Sequence, residues 1–514
     1  MNRNVIHSSL RLATAQESRL IDERTIKELS LRGETLMEIA GNRAAECIME
    51  DYLPGASVLF LCGKGNNAGD ALVIARILLD RGYHVHLYPV FGLNELSPDA
   101  EINVHRLNTM ADLHGVNVTV WESWKSDETI DLLVDGLFGT GLSRGIDGIP
   151  AKAISSANAS GIPIYALDIP SGLHCDTGEA EGAVIQAKKT IQFGVRKFGC
   201  YLGHGISCSG ERVLVDLPFP EAFKKGMNRV LIDPSMDPVQ KLTSETRVEP
   251  SEKLHKYNNG VVHVIGGSSG LTGAPYYSAK ASWSLGMGAV FLHTPAAWLS
   301  VMDVLAPEII KKPGGSADDE FFTSEHSEEV LSVLDQKPGV VILGPGLGRK
   351  EETKTFVRQI IEHSSCPVIL DADALAALPG YFHLISEKEH PENILLTPHS
   401  GELAMLTDHH ATTDYERMEQ TKELAHALGC CVLSKGNPVI AYHPETHTSL
   451  LTSYDISVFS RAGFGDVLCG HIAAFSARSS TLFSGCEPGL LYGYKKIMTR
   501  IQEGQQFPGP SDIL

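Results

Sequence analysis

Val58-Leu59-Phe60-Leu61-Cys62-Gly63-Lys64-Gly65-Asn66-Asn67-Ala68-Gly69-Asp70 is an apolar run that ends in a glycine-rich turn, and Ala71 to Arg81 after it has helical periodicity. A continuous apolar strand of this kind suits a parallel sheet covered on both faces. Strand, glycine turn and helix together make the phosphate-cradling unit of doubly wound folds. Backbone N–H groups at a helix start are unpaired, and the macrodipole favours an anion there. Outward from this unit, strands are expected at His84–Val90, Val116–Val120, Leu132–Asp135 and Pro163–Asp168, with Thr190–Gly194 and Arg212–Asp216 completing the sheet. Helical stretches separate most of them, which is the βαβ alternation of an α/β domain. Upstream, Ala13 to Leu29 and Thr35 to Tyr52 also read as helices.

After Leu217-Pro218-Phe219-Pro220 the periodicity fades into a charged, proline-punctuated stretch, so a linker is expected at 225–253 between domains at 1–224 and 254–514. A chain of 514 residues is too long for one core. The alternation then restarts with Val261–Ile265, the loop Gly266-Gly267-Ser268-Ser269-Gly270-Leu271-Thr272-Gly273 and a helix through Leu285. Further strands are expected at Ala289–His293, Val340–Leu343, Pro367–Asp371, Ile394–Leu396 and Cys431–Ser434, and an exposed loop at Lys312 to Ser327. The fold class is therefore α/β in both halves.

The balance of 43 basic and 62 acidic residues gives −19, which repels nucleic acid and anionic membranes. The longest weakly charged stretch, Leu285 to Pro307, contains His293, Pro295 and Asp303 and does not read as a membrane span. Ten cysteines without a CxxC, and an N-terminus without an apolar signal core, point to reduced thiols in the cytoplasm.

In a parallel sheet ligands bind beyond the carboxyl ends of the strands. In the first half those ends carry Asn66–Asp70, Asp135-Gly136-Leu137-Phe138-Gly139-Thr140-Gly141 and Asp168-Ile169-Pro170-Ser171-Gly172. Amide, carboxylate and hydroxyl oxygens are hard donors suited to an alkali or alkaline-earth cation, although each alone also serves as an ordinary helix cap. Ordinary NAD binding is not supported, because His84-Val85-His86-Leu87-Tyr88-Pro89-Val90 ends without the acid that holds a ribose. In the second half the strand ends give two glycine loops (Gly266–Gly273 and Gly344-Pro345-Gly346-Leu347-Gly348), Asp371-Ala372-Asp373, Thr397-Pro398-His399 and Lys435-Gly436-Asn437. Ala462-Gly463-Phe464-Gly465-Asp466 opens the apolar run Val467–Phe475 and reads as an anion hole with Asp466 as its base, or as a plain capped turn. Gly266-x-Ser268-x-Gly270 followed by Asp371 and His399 matches a hydrolase elbow in order, but no oxyanion segment precedes it.

Together these residues resemble the bifunctional NAD(P)H-hydrate repair enzymes, over nearly the whole chain from about Leu12. The resemblance implies a Rossmann-like N-terminal domain that epimerises the R and S hydrates of NADH and NADPH. It implies a ribokinase-like C-terminal domain that dehydrates the S hydrate with ADP, or ATP, accompanied by Mg2+. Asn66-Asn67-Ala68-Gly69-Asp70 is similar to the family's substrate loop, and Gly139-Thr140-Gly141-Leu142-Ser143-Arg144-Gly145 with Asp168 falls on its hydrate-binding positions. Asn67, Asp135 and Ser171 fall on its potassium ligands. In the C-terminal domain the resemblance places the hydrate near Ala274, Gly346, His399 and Asp466, and the nucleotide at Lys435, Gly436, Asn437, Gly463, Phe464 and Gly465. Asp466 and Asp168 are the implied catalytic groups, the partners are small molecules only, and a homo-oligomer is expected. Three positions depart from the family pattern: Ala71 and Ser400 replace a usual glycine and proline, and Phe464 stands where a small Thr or Ser is usual. A small-molecule kinase on the same fold, and a family member with one inactive half, are the alternatives.

Overall fold

The structure, a computed structural model, describes residues 10–92, 96–125, 128–142, 144–234, 259–454, 457–479 and 481–514. The chain divides into two units, Met1–Val230 and Leu231–Leu514. In the first, β1 (Leu12–Ala13) leads into helix α1 (Ala15–Glu28), whose start is fixed by a capping box between Thr14 and Glu17. Helix α2 (Gly33–Asp51) follows. The strands are then β2 (Ser57–Cys62), β3 (His84–Pro89), β4 (Thr119–Val120), β5 (Leu132–Gly136), β6 (Ile164–Leu167), β7 (Lys189–Phe193), β8 (Arg196–Lys197) and β9 (Glu211–Val215). Seven of them form one sheet in the order β4-β3-β2-β5-β6-β7-β9, parallel throughout. β1 pairs separately with β8.

The order reverses direction between β2 and β5, so the loops after these two strands splay apart into a crevice. Helix α3 (Asn66–Asp80) starts five residues before the expected Ala71, with Gly65 as its N-cap. Asn66 to Gly69 carry no apolar repeat because this first turn faces the crevice on one side, so periodicity does not register it. The departure at Ala71 also has a local reason. Its buried methyl faces Gly136, where an added Cβ would lie 2.7 Å from it, so the glycine makes room for the alanine.

In the second unit a ten-stranded sheet follows the order β10-β19-β18-β17-β16-β15-β14-β11-β12-β13. The strands in chain order are β10 (Arg229–Ile232), β11 (Val261–Ile265), β12 (Ala289–Pro295), β13 (Ile310–Gly314), β14 (Val340–Leu343), β15 (Val368–Leu370), β16 (Ile394–Leu396), β17 (Cys431–Ser434), β18 (Ile440–His443) and β19 (Thr448–Thr452). From β13 to β17 the pairings are parallel; β17-β18 and β18-β19 are antiparallel. β10 falls within the stretch read as linker, and residues 235–253 of that stretch lie outside the described residues.

The expected exposed loop at Lys312–Ser327 is corrected in part. Ile310–Gly314 is the edge strand, where Pro313 is tolerated, and Phe322 is fully buried against Phe356 at 4.6 Å between ring centroids. Here too the order turns back, between β11 and β14. Helices α4 (Gly273–Ser284) and α5 (Phe464–Ser476) pack side by side in the same direction. Ser278 Oγ donates to Asp466 O at 3.0 Å and Ser282 Oγ to Gly470 O at 3.0 Å. A Cβ on Gly470 would lie 2.4 Å from Ser278 O, so only glycine permits this approach. Among the described residues no helix is long and apolar enough to cross a membrane, and all ten cysteines are free.

Candidate active sites

In the first unit the crevice is a cavity of about 760 Å³. Of the expected residues, Asn66, Asn67, Asp70, Gly139, Thr140, Gly141, Leu142, Arg144 and Asp168 line it. Ala68 and Gly69 face the packing behind it, Gly145 sits against the backbone of Glu181, and Ser143 lies outside the described residues. Asp168 has φ +67°, a left-handed conformation that a non-glycine residue holds only when its surroundings fix it. They do so: Phe193 N donates to its Oδ1 at 3.1 Å, and it pairs with Lys197. Lys197, only 2% exposed, also donates to Phe193 O at 2.8 Å.

Asn67, Asp135 and Ser171 come together below this cavity. Ser171 Oγ donates to Asp135 Oδ1 at 2.6 Å and Ser171 N to Asp135 Oδ2 at 2.8 Å, while Leu137 N reaches Oδ1 at 3.2 Å. Phe138 N donates to Ser171 Oγ at 2.9 Å, and Asn67 Nδ2 to Phe138 O at 3.1 Å. Asp135 is fully buried, which pushes its carboxyl up to about 6, and among the described residues no cation faces it. A buried carboxylate beside a serine hydroxyl and the Phe138 carbonyl offers hard oxygens that suit a monovalent cation. No cluster of three or more His, Cys, Asp or Glu residues exists among the described residues to hold a transition metal.

The second unit carries a cavity of about 540 Å³, lined by His399, Lys435, Gly436, Asn437, Phe464 and Gly465 among others. Gly463, with φ +97°, caps α5, and Asp466 sits in the first turn. Burial pushes the Asp466 carboxyl up to about 7, and the nearby Asp371 charge adds to this while Lys435 opposes it. That value suits a base working near neutral pH. Lys435 Nζ lies 2.6 Å from Asp371 Oδ1, and Thr397 Oγ1 donates to the same oxygen at 2.7 Å. Thus Lys435 is both an ion-pair partner and part of the cavity wall.

His399 caps helix α6 (Ser400–Thr407). Its Nδ1 accepts from Gly401 N at 3.0 Å, and its own N donates to Glu402 at 2.9 Å. Phe464 is 4% exposed and turns into an apolar cluster with Val467, Ile497 and Ile513, 5.2 Å from the Phe459 ring. Ala274, Gly346, Gly463 and Asp466 do not line this cavity, although Phe464, Gly465 and Val467 around Asp466 do. Ala274 lies in the first turn of α4, and Gly346 is held by Ser268 Oγ donating to its carbonyl at 2.9 Å. That bond, with Asp371 engaged by Lys435 and His399 serving as a cap, leaves no nucleophile triad at Ser268. Lys197 was not singled out in the sequence, and neither was Asp22 of α1, which also lines the first cavity.

The bifunctional NAD(P)H-hydrate repair enzyme of Salinibacter ruber is 31% identical to this chain over 93% of it and 90% of the relative. This chain belongs to the bifunctional NAD(P)H-hydrate repair family. The relative of the same name from Escherichia coli is 31% identical over 88% of this chain and 80% of its own length. The family model described as YjeF-related protein N-terminus matches residues 33–199, and that described as NAD(P)H-hydrate dehydratase matches residues 262–486. The chain thus carries both domains of the family, an N-terminal unit on an all-parallel sheet and a C-terminal dehydratase-type unit on a mostly parallel one. Among solved structures, the ADP/ATP-dependent NAD(P)H-hydrate dehydratase of Bacillus subtilis co-crystallised with ATP/Mg2+ is similar at 19% identity and TM-score 0.43, over 54% of this chain and 93% of that one.

Proposed function

We propose that this family member repairs hydrated NADH and NADPH. Residues 1–224 interconvert the R and S hydrates at C6, and residues 254–514 dehydrate the S hydrate with ADP or ATP. The observation that carries the reading is Asp466: a carboxyl pushed up to about 7, in the first turn of a helix whose glycine-flanked start adjoins Lys435. Asp466 accepts the proton of the C6 hydroxyl, whose oxygen then attacks the terminal phosphorus of the nucleotide, and the bond to the bridging oxygen breaks. Loss of phosphate from C6 and of a proton from C5 restores the dihydronicotinamide. Backbone N–H groups of Phe464 and Gly465, with Lys435, hold the transferring charge. Mg2+ would arrive with the nucleotide and neutralise phosphate charge.

In the first unit Asp168 handles protons at C6, and the Asn66–Asp70, Gly139–Leu142 and Arg144 wall holds the hydrate. Asn67, Asp135 and Ser171 would hold K+, which supplies a fixed positive charge that keeps the two crevice loops together. A cytoplasmic site of action fits the ten free cysteines. A homo-oligomer fits the exposed Val301, Val304 and Leu305. The test supplies mixed hydrates with and without ADP and follows recovery of reduced cofactor by absorbance. Full, ADP-dependent recovery of both epimers is expected. Recovery stopping at one epimer removes the epimerase, and no recovery removes the dehydratase.

A further inference from the structure

The first cavity holds more acid than epimerisation at Asp168 uses. Asp22, Asp70 and Asp168 all line it with Lys197, a cation that is almost fully buried and already paired with Asp168. Asp22 reaches the cavity because Ser18, Asp22 and Ile26 form one stripe of α1, a helix anchored beside Lys197 where Ala13 pairs with it across β1 and β8. The matched family segment begins at residue 33, after this helix.

Resting on the epimerase reading, we propose that Asp22 is the general acid of that reaction, working opposite Asp168. Asp22 gives its proton to the C6 hydroxyl as the C6–O bond breaks and water leaves. The N1 lone pair closes an N1=C6 iminium. Water then adds to the other face of C6, its proton passing to the Asp168 carboxylate and the pair re-equilibrating through solvent. No oxidant or further reactant is needed. The carboxylate-rich wall stabilises the cationic intermediate.

The electrostatics agree with this division of labour. Burial pushes the Asp22 carboxyl up to about 6; Lys197 opposes this, while Asp168 and Glu23 add to it. Burial pushes the Asp70 carboxyl well above its ordinary value, Asp168 and Asp22 add to this, and Lys197 opposes it. The remaining charged groups of the wall are Arg19, Lys64, Asp99 and Arg144. Two carboxyl groups in one site, one free to hold a proton and one engaged by a lysine, is the arrangement that assigns acid and base.

The experiment uses the full chain without nucleotide, so that only epimerisation runs, and follows R-to-S conversion chromatographically from pH 5 to 9. In wild type, kcat is expected to fall as pH rises through about 6. Asp22→Asn is expected to lower kcat by on the order of 10²-fold, to change KM little, and to lose that pH limb; Asp22→Glu restores both. Asp22→Ser, smaller and neutral, carries the same expectation if Asn disturbs packing, and ADP-dependent dehydration of S hydrate reports that the second unit is intact. An Asn or Ser variant that keeps wild-type kcat, or the wild-type pH limb, overturns the proposal and leaves the epimerase reading standing. A wild type that does not epimerise overturns both.

Discussion

Lys435→Met removes one half of a buried pair and leaves Asp371, 2% exposed, with Thr397 Oγ1 and the Cys469 thiol as neutral close partners. Removing one member of a buried ion pair costs roughly 3–5 kcal/mol, because the other charge stays desolvated and uncompensated. Lys435 retains 20% side-chain exposure, so some water enters and the lower end applies, about 3 kcal/mol. For a unit of this size that corresponds to a melting shift of about 5 °C. Asp371→Asn/Lys435→Met removes both charges and should recover to within about 1 kcal/mol of wild type. Urea unfolding followed by fluorescence measures this in a Trp121→Phe/Trp124→Phe background, where Trp283 and Trp298 report on the second unit. The loss should survive high salt, since a buried pair is little screened. A single variant losing under about 1 kcal/mol, or a double variant no better than the single, would refute the reasoning.

Asp466→Asn should lower dehydration by at least on the order of 10²-fold while nucleotide still binds. In wild type, kcat/KM for dehydration should rise with pH through about 7, as the base form appears. Because its folded value is raised from 3.8 to about 7, the wild-type carboxyl loses stabilisation between pH 4 and 7. The Asn variant should therefore gain melting temperature over wild type across that window and hold the gain above it; equal melts at pH 8 would count against burial of this charge. K+ in place of choline should stabilise the first unit by roughly 2.7 kcal/mol at 100-fold excess over Kd, read as a rise in its melting point. Asp135→Asn should abolish the rise, and an undiminished shift in the variant would move the ion elsewhere. Finally, His263 Nδ1 and His293 Nε2 lie 3.0 Å apart in the second core, with His263 held down to about 4 by burial and His293 also held well below its ordinary value by burial. Stability present above the ordinary 6.5 should be lost as pH falls toward 4, and His293→Met should flatten that slope in acid titrations followed by circular dichroism.

Buried strands and glycine turns were legible in the chain because parallel strands leave long apolar runs, and Val58–Cys62 and Val340–Leu343 fall where such runs predict. Elements that face a cavity or an edge were not. The first turn of α3 is polar on purpose, since Asn66 and Asn67 point at the crevice, and β13 reads as loop because Lys311, Lys312 and Pro313 occupy a half-solvated edge. The β18–β19 hairpin escaped because its strands are short and joined by Pro444-Glu445-Thr446-His447. Asp466, Lys435 and the Asn67–Asp135–Ser171 group could be named from their place after strands. Asp22 and Lys197 could not, as their partners lie far apart in sequence and only the β1–β8 ladder brings those segments side by side. His399 serves twice: its Nδ1 caps its own helix, and the residue still lines the cavity.

Gly470 against the Ser278 carbonyl has one more consequence. Two rods pressed backbone to backbone, and pinned again by Ser282, cannot splay when a ligand arrives. The dipoles at their amino ends are thus aimed beforehand, and the reorientation that water would need around a phosphoryl group is already done. Changes in ligand preference must then come from side chains such as Phe464 that trim the space in front of a fixed electric field.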